Sequence, residues 1–106
     1  MRIISRRTLK EFVDSLGSHK DQSAVKAALD AWFDEVSKAK WESSNDVKQL
    51  YATASIVSSE RVVFNIKGND FRLVVAVSYK LQLIFVKFVG THKQYDAIDA
   101  QTVEMV

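Results

Sequence analysis

Apolar residues recur along this chain at two different periods, and the change falls close to Arg61. Before it the spacing is helical. Leu9, Phe12, Val13 and Leu16 make one stripe, and Gly17 offers a stop. Val25, Ala28, Leu29, Trp32, Val36 and Ala39 make a second stripe. Ser5 stands where a cap for the first helix belongs, and Ser18 with Asp21 has the form of a capping box with Asp in place of Glu. Lys38 and Lys40 suit the negative end of the second helix. The two stripes predict an antiparallel helical hairpin. Ile3 and Ile4 ahead of it predict a short edge strand. Residues 41–60 are less regular: Asp46 to Tyr51 reads as a helical turn and Ala52 to Ser59 as extended chain.

From Arg61 onward the period is two, with strands predicted over 61–67, 71–79 and 82–89. Gly68-Asn69 tolerates the positive φ of a hairpin turn, and a second turn falls near Lys80-Leu81. Two-residue loops at both turns fix the pairing parity and so the faces. One face then holds Val62, Phe64, Ile66, Phe71, Leu73, Val75, Val77, Tyr79, Ile84, Val86 and Phe88. The helices should cover it. The other face holds Arg61, Asn65, Lys67, Arg72, Ser78 and Lys87 among Val63, Val74, Ala76, Leu83 and Phe85. Asn65 is placed opposite Arg72, and Val74 opposite Lys87. The predicted fold is α+β: an N-terminal helical hairpin packed on one face of an antiparallel sheet of three to four strands.

Composition narrows the function classes. A chain of 106 residues, 47 % hydrophobic, reads as one domain, 1–106, able to bury its own core. There is no cysteine, which removes disulfides and thiolate metal sites. No apolar run reaches the ~18–20 residues of a membrane span. Met1–Ser5 lacks the apolar region of a secretion signal, so a cytoplasmic location is expected. The net charge of +2 is too small to imply a polyanion partner, and only the distribution of charge can do so.

That distribution is uneven. Several cations share the second sheet face with no acid among them, although a face needing only stability would pair them across strands. A polyanion is one source of the missing counter-charge. Thr91 with Gln94 reads as a capping box for a short helix starting at His92, which puts His92 and Tyr95 on one side of it, beside the strand carrying Lys87. His92 and His19 are the only imidazoles, too few for a zinc site. Ser5 and Ser78 have no evident base or orienting acid. "KGND" is too short for a phosphate loop. Metal-free RNA cleavage fits what is left. Arg72 would grip phosphate as a fork, Lys87 would add a point charge, and an imidazole would serve as acid or base. No cofactor or metal is expected.

The segments "RVVFNIKGNDFRLVVAVSY" and "IFVKFVGTHKQYDAID", with the opening "IISRRTLKEF", resemble the HigB family of toxins, within the RelE-like superfamily of type II toxin–antitoxin systems. The resemblance covers nearly the whole chain. It implies a microbial-RNase-type fold, cleavage of mRNA on the ribosome, and a cognate helix-turn-helix antitoxin. By the same resemblance, Arg72 in "FRLVV" corresponds to the phosphate-stabilising arginine. His92 in "VGTH" stands where many relatives carry an arginine proposed as general acid. Tyr95 stands for a tyrosine that other branches place slightly later. Lys67 in "IKGN" lies near a basic pair that varies among relatives. Glu104 lies in a tail without the basic helix that some relatives have.

Plainer readings stand beside these. Arg72 would pair with Asp70 or Glu60, and Lys67 would be a turn lysine. His92 would merely begin a helix. Lys87 would be a solvated strand lysine, and Tyr95 would pack on the sheet edge. Asn65 and Arg61 would touch RNA only if the basic face does. Arg6, Arg7 and Lys10, with Arg2, form either a solvated helix face or a contact for ribosomal RNA. Trp32 reads as core, and Trp41 as core or partner contact. Two other functions fit the same basic face: a non-catalytic RNA-binding domain, and a protein-interaction module.

Overall fold

The β-branched and aromatic runs on either side of Lys67–Asp70 fold back on each other as the centre of a sheet, in a computed structural model describing residues 1–104. In chain order the elements are β1 (Arg2–Ile4), α1 (Arg6–Ser15), α2 (Gln22–Lys38), α3 (Ser44–Leu50), β2 (Ser55–Ile56), β3 (Arg61–Ile66), β4 (Phe71–Ser78), β5 (Leu83–Thr91) and α4 (His92–Asp96). The sheet has five strands in the order β1-β5-β4-β3-β2. All neighbours are antiparallel except β1 and β5, which run parallel. The fold is α+β, as expected, with a wider sheet. Ile3 and Ile4 do form the edge strand, and the extended stretch after Ala52 contributes the two residues of β2.

The helices cover one face, here called the inner face. Leu9 and Val13 of α1, and Val25, Leu29, Trp32 and Val36 of α2, join Val62, Phe64, Ile66, Leu73, Val75, Val77, Ile84, Val86 and Val89 in one buried cluster. Phe64 is its aromatic centre. Its ring lies 5.4 Å from Trp32, 6.2 Å from Trp41 and 5.1 Å from Tyr51, centroid to centroid. Trp41 is therefore core. Such edge-on and stacked pairs each add about 0.5–1.5 kcal/mol beyond area burial.

Several local expectations are corrected. Ser5 does precede α1, but its φ is 78° and its hydroxyl caps nothing. The second helix starts later than a Ser18 cap would place it. Asp21 precedes Gln22 and makes no capping bond, because its carboxylate faces Lys67 instead. In the first hairpin the positive φ values fall on Lys67 (51°) and Gly68 (64°), not on Gly68-Asn69. This loop, 67–70, preserves the expected parity, so Asn65 still faces Arg72.

The larger correction is a β-bulge in β5. Val75 pairs with Val86, but Val74 pairs with Phe88, so Lys87 has no partner across the strand. A bulge inserts one residue into a ladder and reverses the side assignment beyond it. Phe88 thus leaves the inner face and packs on Val63 and Val74 of the outer face, while Val89 turns inward. The outer face is not open either. Residues 97–104 cross it, with Ala100, Ile98 and Val103 against Val63, Val74 and Phe88. No helix among the described residues is long and apolar enough to cross a membrane.

Candidate functional site

At the hairpin end of the outer face, β4 and β5 present Arg72 directly across from Gly90. Arg72 donates from Nη1 to the carbonyls of Asn69 (2.8 Å) and Phe71 (3.3 Å). These bonds hold the guanidinium at the turn. Neither proposed partner, Asp70 nor Glu60, takes it. Its Cζ lies 5.8 Å from the centre of the Tyr95 ring, within range of a cation–π contact.

Tyr95 and His92 are carried by α4, whose start is fixed in the expected way. The Thr91 hydroxyl accepts from the Gln94 N–H at 3.1 Å, and the Gln94 amide oxygen accepts from the Thr91 N–H at 2.8 Å. The His92 N–H donates to the Asp70 carbonyl at 2.9 Å, tying α4 to the β3–β4 turn. The imidazole is 53 % exposed, with Nε2 3.4 Å from Asp96 Oδ1. Among the described residues His92 makes no bond to Arg72 or Lys87. The fold brings it to the same end of the sheet as Arg72, half exposed beside Asp96.

Gly90 is what lets these parts fit. A β-carbon there would lie 2.6 Å from the Gln94 amide oxygen and 2.7 Å from the tip of the Phe88 ring. Gly90→Ala should therefore push on both the capping box and the outer-face packing. It should destabilise by about 1–3 kcal/mol, as overpacking does. Urea unfolding measures this, and an unchanged midpoint would show that the ring and the amide yield without cost.

Lys67 is elsewhere. Its Nζ lies 3.0 Å from Asp70 and 3.3 Å from Asp21, reaching past the turn toward the helical layer. Those carboxylates, Asp70 foremost, raise its pKa above the usual lysine value, and Lys67 in turn lowers that of Asp70. A lysine so held keeps its proton at neutral pH. It stands as a cation between two carboxylates.

Lys87 and Arg61 share the outer face with Arg72, but they are not free. Glu104 bridges them, with Oε1 3.1 Å from Arg61 Nη2 and Oε2 2.9 Å from Lys87 Nζ. Arg61 also donates from Nη1 to the carbonyls of Val103 (2.8 Å) and Ala100 (3.4 Å). The expectation of a cationic face without an acid is thus wrong, because the acid arrives from the C-terminal segment. Lys87, through its hydrogen bond, and then Arg61 hold the Glu104 carboxyl below the usual carboxylate range. Asn65 faces Arg72 and makes no side-chain hydrogen bond among the described residues.

Arg6, Arg7 and Lys10 lie in the helical layer, away from this face. They line a groove of about 770 Å³ between α1 and α2, together with Leu9, Leu29 and Phe33. Arg6 stacks 4.4 Å from the Phe33 ring centre, and Arg7 pairs with Glu11. Any RNA contact they make belongs to a second surface. Among the described residues no group of three or more His, Asp or Glu side chains is gathered as a metal would need.

Sequence reasoning missed Asp96, Gly90 and the role of Glu104. The Asp96 contact had a signal in its i,i+4 spacing from His92. The apolar Ile98 and Val103 were a signal that the tail must pack somewhere. Nothing local pointed to the bulge that turns Phe88 to meet them.

The sequence also matches known proteins. Residues 25–98 match the profile of HigB_toxin, described as the RelE-like toxic component of a toxin-antitoxin system. Over 102 residues the chain is 26 % identical to the mRNA interferase toxin HigB of Escherichia coli (strain K12), covering 94 % of this chain and 92 % of that protein. The mRNA interferase HigB of Escherichia coli O157:H7 and that of Shigella flexneri are similar to the same extent. With most of its length inside that profile, and with the sheet and helical layer in place, the chain belongs to the HigB family of RelE-like toxins.

Proposed function

We propose that this chain is a metal-independent endoribonuclease that cuts mRNA on the ribosome and thereby arrests translation. The carrying observation is the grouping at the hairpin end of the outer face: Arg72 against Tyr95, with His92 on the same capped helix. The names of the HigB relatives support the substrate class.

In this reading the ribose 2′-OH attacks the adjacent phosphorus. The P–O5′ bond breaks, leaving a 2′,3′-cyclic phosphate and a 5′-OH. Arg72 binds the non-bridging oxygens, and Lys87, once released by Glu104, adds charge to the phosphorane. His92 gives its proton to the departing 5′ oxygen while water takes the 2′-OH proton, or, in the reverse assignment, takes the 2′-OH proton while water protonates the 5′ oxygen. Asp96 lies beside Nε2, 3.4 Å away. Tyr95 orients the ribose next to Arg72, and Asn65 offers an amide to the RNA from β3. Lys67 contributes as a fixed cation. Arg61 joins the RNA surface once its carboxylate partner is displaced, and Arg6, Arg7 and Lys10 form a separate contact for ribosomal RNA. The partner controlling the toxin is a helix-turn-helix antitoxin, and both act in the cytoplasm.

The test supplies purified chain with an mRNA, either free or on translating ribosomes. A single 2′-deoxy substitution at the mapped cut should stop cleavage there, because the nucleophile is gone. Cleavage that persists at the deoxy position would exclude this chemistry. RNA that is bound but never cut would favour the non-catalytic binding domain.

A further inference from the structure

The C-terminal segment that crosses the outer face ends its described course on a charge arrangement that packing alone does not require. Apolar contacts of Ala100 and Val103 and the two carbonyl bonds from Arg61 Nη1 already seat the segment. Glu104 adds something different. It spreads one carboxylate over two cations on strands separated by β4, one oxygen to each. The two non-bridging oxygens of a phosphodiester offer a similar pair of acceptors.

We propose that Arg61 and Lys87 form a phosphate-binding subsite for RNA that Glu104 occupies in the free chain, so that the C-terminal segment competes with substrate. This rests on reading the outer face as the RNA-binding face, and it adds a control on that face.

Three features favour a displaceable contact. The cations are the protected partners, with 12 % of the Arg61 side chain and 24 % of that of Lys87 exposed, whereas Glu104 is 55 % exposed. An ion pair open to solvent on one side contributes little to stability, so exchanging it costs little. Release also needs only the Glu104 side chain to swing away, since Arg61 Nη1 keeps its carbonyl bonds and Ala100 and Val103 keep theirs to the sheet. Lys87 would then keep only its approach to the Phe85 ring among the described residues, and Arg61 would be open at Nη2. Both lie on the same sheet face as Arg72, with the seated segment covering Val63 and Val74 between them, so one RNA strand reaching both ends passes over residues 97–104.

The experiment compares the full wild-type chain with Glu104→Gln and Glu104→Ala, using a single-stranded 2′-O-methyl oligoribonucleotide, which cannot be cut. Affinity is measured by anisotropy over a range of KCl concentrations. Both variants should bind about tenfold tighter at low salt. Their log–log salt slope should steepen by about 0.7, from one added phosphate neutralised on a single strand. Adding Lys87→Ala should remove most of the gain. Unchanged or weaker binding by a folded Glu104→Gln variant would overturn the subsite and leave Glu104 a structural tie. A gain toward polyglutamate but not toward RNA would overturn the RNA assignment. Cleavage is read separately on translating ribosomes. Wild type that cuts mRNA, with no change in Glu104→Gln binding, defeats the subsite alone. Tighter binding without any cutting defeats the cleavage reading alone.

Discussion

His92→Ala should abolish growth arrest on expression and leave the fold intact, and Arg72→Ala should come close to the same result. The imidazole is half exposed, packs in no core cluster and contributes only its backbone N–H to the tie with Asp70. The start of α4 is held by Thr91 and Gln94, which the substitution does not touch. Removing a positioned acid or base should slow cleavage by about 10²–10⁴-fold. Arg72 is anchored at the turn by two carbonyls and by Tyr95, so its fork is oriented before substrate arrives. Losing one such donor should cost about 10²–10³-fold in rate. Arg72→Lys should rescue little, because an ammonium cannot reproduce the planar fork. Rates on translating ribosomes, read beside thermal unfolding, check all three. A folded His92→Ala protein that still cuts at the wild-type rate would remove His92 from the chemistry.

Phe64→Ala should be the most damaging change to stability. Phe64 is 1 % exposed and touches Trp32, Trp41 and Tyr51, so it joins α2 and the segment after it to the central hairpin. Truncating a buried phenylalanine costs about 3–5 kcal/mol, since the large rings around it cannot collapse into the space. Against a total of about 5–15 kcal/mol for a domain, that is a large share. Melting temperature should fall by roughly 4–8 °C for each kcal/mol lost. Calorimetry on the purified variant measures this. A fall of only a few degrees would show that the aromatic cluster repacks.

These two variants mark what the amino-acid sequence made legible. The inner face was readable because period-two alternation and hairpin parity are local, and loops 67–70 and 79–82 preserve the parity that two-residue loops would have set. Thr91 with Gln94 was readable for the same reason, since both partners of the capping box lie within one turn. Phe88 was misplaced because a bulge at Lys87 leaves no mark in the apolar pattern: a valine, a lysine and a phenylalanine in a row fit either register. The outer face looked free of acids because Glu104 lies 17 residues beyond Lys87 and 43 beyond Arg61. Only the path of the chain brings it back. Asp21 similarly meets Lys67 through tertiary structure, although it reads as a helix cap.

The central claim is that the end of the sheet carrying Arg72, Tyr95 and His92 is where RNA is cut. Its most direct test is transcriptome-wide mapping of RNA 5′ ends after inducing the wild-type chain and, in parallel, a folded His92→Ala variant. New 5′ ends within translated coding sequences should appear with the wild type and vanish with the variant. The same new ends in both, or growth arrest by the wild type with no new ends at all, would contradict it.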